Sequence, residues 1–350
     1  MHPAFSVILF TVISGAGYGL FILLAAFHLA GVGPAMSHGE LLVHGGVAMG
    51  MITLGLLLST GHLANKKNAW RSFMRFKTSW LSREAVFAVL FYPFAGIYAL
   101  GVLLQGPAVG PLAAVAGVLA ALLAVITLFS TGMIYGCLKT IRQWNTALTP
   151  ANYIMLGIAT GTTLFAAIAS VFGNATPMHA GVAMVALVAA ALLKGIYYFW
   201  ISRVNGPTIN TATTFNRATV RLLDTGHTAG TFLTDEFGYD PRKDTIDNIK
   251  MGVFLLGFIA PVLVFASILS GAPEAVAWLA AISSLIGIGM ERWLFFAEAK
   301  HVVRLYHGAP NCTSPLTQPA SDGPEVPETA GAGEKGPGWR LGDTPGGSGS

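Results

Sequence analysis

Eight long apolar segments, separated by polar connections, constrain the fold of this 350-residue chain more than any other feature. A run of about twenty apolar residues is long enough to cross a lipid bilayer as a helix. The segments are residues 5–29, 40–61, 84–105, 111–138, 153–172, 179–201, 251–270 and 277–296. Only 10% of the residues are charged, whereas a soluble domain has about 25%. The sequence therefore predicts an all-α integral membrane protein with eight transmembrane helices in a compact bundle.

The composition changes sharply after residue 308, where Pro, Gly, Ser, Thr and Glu become dominant. Such a segment cannot bury enough apolar surface to fold alone, so residues 309–350 are predicted to form a disordered tail. Its last residues, GGSGS, have the composition of a flexible linker. Residues 1–308 are predicted to form the membrane domain. Within it, the long connection 202–250 is expected to be ordered, with a short helix near 215–223.

The 20 Lys and Arg residues all lie at or near one end of the predicted bundle. This end, called the X surface, carries both termini and the connections after the second, fourth and sixth spans. The opposite Y surface has Glu40 and Glu274 as its charged residues. Basic residues stay in the cytoplasm, which predicts a bacterial inner-membrane protein with both termini cytoplasmic. The alternative explanation is that the X surface is basic in order to bind an acidic partner.

The polar connection between the second and third spans begins with His62 and ends with Glu84. Quinone reduction consumes two electrons and two protons, so a quinone site needs proton-exchanging groups near the ring oxygens. A histidine titrates near neutrality, and a partly buried carboxylic acid can titrate in the same range. The pair therefore indicates a quinone site at the X surface. The alternative is a helix-end histidine and a glutamate favoured by the helix dipole.

Two neighbours of Glu84 are included in this predicted quinone site. Trp80 is an aromatic side chain that could pack on a quinone ring, although a tryptophan at this depth is also typical of a headgroup anchor. Arg83 directly precedes Glu84, so the two side chains are expected to point in different directions. Arg83 either contributes to the site or contacts phospholipid or a partner protein.

Three charged residues lie inside or at the border of apolar spans: Lys194 in the sixth, and Glu291 and Arg292 in the eighth. Charge within a membrane is costly and is normally paired or functional. Glu291 is therefore predicted to pair with Lys194. Two interpretations remain open for this group: a structural ion pair that fixes helix packing, or part of a proton path.

Other cofactor sites find little support in the sequence. The two cysteines, Cys137 and Cys312, match no metal or disulfide pattern, and no metal site is predicted. A bis-histidine haem needs two histidines well inside facing spans, which no pairing here provides, so haem is not expected. No glycine-rich phosphate loop points to nucleotides or nucleic acid. A haem b-bearing cytochrome subunit and a secondary transporter are the alternative classes, although transporters place polar groups nearer the midplane.

Several motifs carry a resemblance to a known family. Around His62 and Glu84 these are GHLAN, AWRSF and TSWLSREA, and further along the chain GMIYGCLKTIRQWNT, HTAGTFLTDEFGY and ERWLFFAEAKHVVRLYHG. Together they resemble the membrane anchor subunit of the dimethyl sulfoxide reductase family. The resemblance extends to the similar anchor of sulfite-oxidising molybdoenzymes. The resemblance covers most of residues 1–308.

The resemblance implies a complex of three different chains. A catalytic subunit would carry a molybdenum bis-pterin cofactor, and a second subunit would carry four iron–sulfur clusters. This chain would bind both and exchange electrons with menaquinone or ubiquinone, without itself acting on the sulfur substrate. His62 and Glu84 match the family residues associated with the quinol site, and the family anchor has no haem. Lys66 and Lys67 depart from the family pattern. If the partner subunits dock on the basic X surface, they lie in the cytoplasm. That arrangement resembles the sulfite-oxidising type of complex more than an exported reductase.

Overall fold

The computed structural model describes residues 1–61, 66–204, 206–215, 217–224 and 230–308. Within these ranges, eight helices are long and apolar enough to cross a membrane. They are α1 (Phe5–Ala30), α2 (His38–Gly61), α3 (Trp80–Gln105), α4 (Pro111–Gly136), α5 (Leu148–Val171), α6 (Pro177–Arg203), α7 (Lys243–Leu269) and α8 (Glu274–Ala297). No strand occurs in these ranges. The prediction of an all-α protein with eight spans is therefore confirmed, whereas the predicted tail lies outside the described residues.

The helix ends follow local sequence signals. Pro111 and Pro177 occupy first-turn positions of α4 and α6, where the missing amide proton costs nothing. Gly31 ends α1 in the left-handed conformation, with φ of 63°. Ser79 caps α3 by accepting a hydrogen bond from the Ser82 amide. This cap fixes the start of α3.

Helices α1 and α5 form the centre of the bundle and are its most buried spans. Helix α1 packs against α2, α4, α5 and α8, and α5 packs against α4, α6 and α8 as well. The two central helices cross at glycines. A Cβ atom at Gly19 would overlap the carbonyl oxygen of Gly157, and one at Gly161 would overlap the Gly19 backbone. Because association in lipid depends on close van der Waals packing, this crossing is a main determinant of the fold.

The X surface is assembled from distant parts of the chain. The Met1 amino group donates to the Ala299 carbonyl oxygen at 2.9 Å, after the end of α8. The His2 amide donates to Glu236 in the long connection after α6, at 3.0 Å. The Val302 amide donates to Thr140 after α4, at 3.1 Å. These contacts place the start of α1, the end of α8 and the two connections at one end of the bundle.

The prediction of a short helix near 215–223 is wrong for the described residues. Short helices form instead at Ile209–Thr213 and Phe232–Phe237. The Asn210 side chain explains the difference, because its amide nitrogen donates to the carbonyl oxygens of Phe215 and Ala218. Its oxygen accepts from the Val220 amide at 3.1 Å. These bonds hold the chain in a non-helical turn. The Asn210 side chain pairs backbone groups that would otherwise have been paired within a helix.

Candidate functional site

Glu84 lies in the second turn of α3 and is only 6% exposed. The Thr131 hydroxyl of α4 donates a 2.5 Å hydrogen bond to Glu84 Oε1, and also contacts the Thr127 carbonyl oxygen at 3.0 Å. The carboxyl group is thus directed into the interface between α3 and α4 and away from lipid. An isolated buried carboxylate is costly, so the hydroxyl contact helps to keep an ionisable group at this depth.

Trp80 and Arg83 are brought together beside Glu84. The Arg83 guanidinium lies 4.2 Å from the Trp80 ring centroid, in cation–π geometry. It also donates to the carbonyl oxygens of Phe76 at 3.0 Å and Lys77 at 2.8 Å. The Trp80 ring also meets Phe129 of α4 in an edge-to-face arrangement, with ring centroids 5.7 Å apart. Arg83 therefore stabilises the chain that enters α3 and positions Trp80.

His62, the second residue of the predicted proton-exchanging pair, lies outside the described residues. The chain is described again from Lys66, where a 3-10 helix extends to Arg75. Its exposed side chains combine aromatic and basic types, with Trp70 57% and Phe73 41% exposed. Arg71 lies 5.8 Å from the Trp70 ring. This combination is typical of a segment at the membrane–water interface.

Lys194, Glu291 and Arg292 form a second site, here called the buried charge cluster. Their side chains are 1%, 0% and 3% exposed. Lys194 donates a short hydrogen bond to Glu291 Oε1. Arg292 lies 3.4 Å from Glu291 Oε2, and its guanidinium is 3.6 Å from the ring centroid of Tyr153. The structure thus brings together the residues that the sequence predicted as a pair, with a second cation included.

A small cavity lies between α1, α4, α5 and α8 and has a volume of about 10 Å³. Thr131, the partner of Glu84, lines this cavity, and so does Arg292 of the buried charge cluster. Neither Thr131 nor Tyr153 was predicted from the sequence. A threonine in an apolar span usually bonds to its own helix, so Thr131 had no distinguishing signal. A larger groove of about 620 Å³ between α6 and α7 is lined by apolar residues and glycine, and offers no side-chain partner for a quinone oxygen.

Two histidines near the Y surface, His44 and His179, contact backbone groups. Both ring nitrogens of His44 lie within hydrogen-bonding distance of backbone carbonyl oxygens, those of Glu40 and Phe165. His179 accepts from the Thr176 amide at the start of α6. Glu40 is buried and accepts from the Asn174 side chain at 2.7 Å, so it is not a surface charge. In the described part of the chain, no group of three or more His, Cys, Asp or Glu residues could hold a metal ion.

The comparison with known proteins agrees with the helical membrane architecture described above. Residues 1–297 match the family described as DMSO reductase anchor subunit (DmsC). The chain is also 32% identical over 327 residues to a sulfite dehydrogenase subunit of Allochromatium vinosum. That match covers 88% of this chain and 99% of the relative. The predicted family is therefore confirmed: the chain belongs to the DMSO reductase anchor subunit family. It is a membrane anchor, with eight helices long and apolar enough to cross a membrane in the described residues.

Proposed function

We propose that this chain is the quinone-interacting anchor of a molybdenum and iron–sulfur oxidoreductase complex. It passes electrons between the quinone pool and an iron–sulfur subunit. The observation that carries the proposal is the buried carboxyl group of Glu84, held by Thr131 where α3 leaves the basic X surface. A proton-exchanging group at this depth can meet a quinone ring while the isoprenoid tail stays in lipid.

The residues around Glu84 fit a quinone. A bound quinone supplies two-electron, two-proton redox chemistry. Glu84 exchanges a proton with one ring oxygen, and His62 is proposed to serve the other. Trp80 offers an aromatic face for the ring, and Arg83 holds that tryptophan in place. Thr131 fixes the orientation of the Glu84 carboxyl group.

The partners are proposed to dock on the X surface. One carries iron–sulfur clusters, and the other carries molybdopterin and acts on the substrate. The basic charge of this surface supports a cytoplasmic location in a bacterial inner membrane. Docking there brings the iron–sulfur partner near Glu84, because both lie at the same end of the bundle. Electrons can then pass between the clusters and the quinone without crossing the membrane.

The proposed substrate is sulfite, which is supported by the name of the Allochromatium vinosum relative. Sulfite and water give sulfate, two protons and two electrons in the catalytic partner. The electrons and two protons convert a quinone to a quinol at the anchor. The family description favours a second candidate, in which quinol oxidation drives reduction of dimethyl sulfoxide. Both candidates use the same site in opposite directions.

Membranes that contain the assembled complex test this proposal. Sulfite-dependent quinone reduction and quinol-dependent dimethyl sulfoxide reduction are measured for the unmodified chain, Glu84→Gln and Glu274→Gln. Glu274→Gln makes the same chemical change near the opposite end of the bundle. We expect sulfite-dependent activity that is lost in Glu84→Gln and retained in the control. Full activity of an assembled Glu84→Gln complex in either direction would refute the site.

A further inference from the structure

The groove of about 620 Å³ between α6 and α7 opens on the outer side of the bundle. It is lined on α6 by residues from Leu187 to Phe199 and on α7 by residues from Phe254 to Leu263. Leu187 and Phe258 are buried at its base, whereas Phe199 and Leu263 are exposed at its edges. Every lining residue is apolar or glycine, so the groove suits a hydrocarbon chain.

The backbone of α7 explains why this groove is open. Pro261 has no amide proton to donate to the Gly257 carbonyl oxygen, and a wide π-helical turn precedes it at Leu255–Ile259. Gly257 approaches α8 closely, because a Cβ atom at Gly287 would overlap the Gly257 backbone. This part of α7 is therefore held against α8. On the α6 wall, a Cβ atom added at Gly195 would meet nothing within 4 Å, so no side chain fills the space.

The groove has about the length of one lipid leaflet. The stretch from Leu187 to Phe199 rises by about 18 Å along α6, at about 1.5 Å per residue. The hydrocarbon core of a bilayer is about 30 Å thick, so one leaflet is about 15 Å. Phe199 lies about one turn before the end of α6 at Arg203, on the X side. The groove therefore runs from the headgroup level of the X-side leaflet toward the bilayer centre, along the path of one acyl chain.

A basic side chain lies at the X end of the groove. The Arg203 guanidinium is exposed and lies 4.4 Å from the ring centroid of Phe199, which lines the groove. Among the described residues, its five N–H donors have no hydrogen-bond acceptor and no carboxylate partner. One guanidinium can donate two parallel hydrogen bonds to a phosphate group. Its charge and its depth in the membrane therefore suit the phosphate of an anionic lipid.

We propose that this groove binds an anionic phospholipid of the X-side leaflet, with one acyl chain between α6 and α7 and the phosphate on Arg203. The apolar walls accept the chain, and the guanidinium selects a headgroup with a net negative charge over a zwitterionic one. A quinone fits the groove less well, because no lining side chain can bond to a ring oxygen. The bound chain fills space between the two helices and so stabilises their packing. The inference does not depend on the role proposed for Glu84.

The experiment uses the assembled complex, reconstituted in phosphatidylcholine vesicles that contain a trace of a photoreactive lipid. That lipid is either phosphatidylglycerol or phosphatidylcholine, with a diazirine at the same position of one acyl chain. The labelled peptides are identified by mass spectrometry.

Two pairs of variants test the two parts of the proposed site. Arg203→Gln removes the cation, and Arg221→Gln is its control, because Arg221 is an exposed arginine in the connection that follows α6. Gly195→Phe fills the groove. Gly181→Phe is its control, because Gly181 belongs to the same helix, lies outside the groove and also has nothing within 4 Å of an added Cβ atom.

In the unmodified complex, phosphatidylglycerol should label the groove about fivefold more strongly than phosphatidylcholine, which is the preference expected from one basic residue. Arg203→Gln should make the two lipids label the groove equally. Gly195→Phe should abolish labelling of the groove by both lipids. Both controls should keep the pattern of the unmodified complex. If Gly195→Phe does not assemble, the comparison of Arg203→Gln with Arg221→Gln decides alone.

Three results would overturn the proposal. Equal labelling by the two lipids in the unmodified complex would show an ordinary boundary lipid without headgroup selection. Loss of the labelling when a long-chain quinone is added would identify a quinone as the occupant. Absence of labelling by either lipid would show that a protein chain covers the groove in the complex.

Discussion

The hydroxyl of Thr131 donates a 2.5 Å hydrogen bond to the carboxyl group of Glu84 and so joins α4 to α3. The two helices are antiparallel neighbours, and both residues lie about five positions from the X end of their helix. The bond directs Glu84 into the bundle.

The first prediction concerns the stability of the buried charge cluster. Glu291→Gln leaves Lys194 without its anionic partner, and breaking a buried ion pair costs about 3–5 kcal/mol. The double variant Lys194→Gln with Glu291→Gln should lose less stability, since it leaves Arg292 but not Lys194 without an anionic partner. Thermal denaturation in detergent measures the difference. Glu298→Gln is the control, because its ion pair with Lys250 is partly accessible to water, with side chains 16% and 29% exposed, and should cost less to break than a fully buried pair. Equal losses in the single and double variants would contradict this account.

The second prediction concerns the crossing of α1 and α5. Gly19→Ala places a methyl group against the Gly157 carbonyl oxygen, and overpacking of this kind costs about 1–3 kcal/mol. Gly46→Ala is the control, because nothing lies within 4 Å of the added methyl group. We expect a lower denaturation midpoint for Gly19→Ala and an unchanged or higher one for Gly46→Ala. Similar midpoints would show that the glycine crossing is not a close contact.

The third prediction concerns orientation. Cys137 ends α4 at the X surface and is exposed, with a free thiol. If the X surface is cytoplasmic, a membrane-impermeant thiol reagent should label Cys137 in lysed spheroplasts and leave it unlabelled in intact ones. Ser270→Cys, in a chain that carries Cys137→Ser, tests the Y end of α7. Cys312→Ser is present in both chains. Labelling of Cys137 in intact spheroplasts would reverse the proposed orientation.

The fourth prediction concerns pH. His301 stacks on Phe237 with ring centroids 4.6 Å apart, and its Nδ1 accepts from the Val303 amide at 3.1 Å. Burial lowers the pKa of His301 below its usual value of 6.5. The unfolded segment therefore binds a proton more readily than the docked one, so docking is strong above pH 6.5 and weakens as the pH falls below it.

Hydrogen exchange of the helix Phe232–Phe237 measures this effect, after correction for the intrinsic pH dependence of exchange. Exchange should be faster at mildly acid pH than above neutrality. His301→Gln removes the titrating group and should give an exchange rate with little pH dependence. A variant that retains the full pH dependence would show that another group controls the docking.

Much of the fold could be predicted from the sequence, because a span in lipid must satisfy its backbone hydrogen bonds internally and be apolar outside. The observed helix ends differ from the ends of the predicted apolar segments where polar residues form the first turns of a helix. Helix α7 begins at Lys243, before the apolar segment, because its charged first turns lie at the X surface. The glycine spacing Gly157–Gly161 carried a signal for helix crossing that was not among the predictions.

The candidate sites differed in how much the sequence could show. Lys194 and Glu291 were predictable partners, because a charge in an apolar span needs an opposite charge. Thr131 was not, since its position opposite Glu84 depends on how α3 and α4 pack. The turn around Asn210 was also unpredictable, because a side chain with several bonding options competes with helix formation.

The location of the quinone is tested most directly by photoaffinity labelling. A photoreactive quinone is bound to the assembled complex in membranes, and the labelled peptides are identified by mass spectrometry. The account predicts labelling near Trp80 and Glu84 or in the preceding connection, reduced by unlabelled quinone and by Glu84→Gln. Labelling that lies in α6 and α7 instead, and is unaffected by Glu84→Gln, would contradict the central claim.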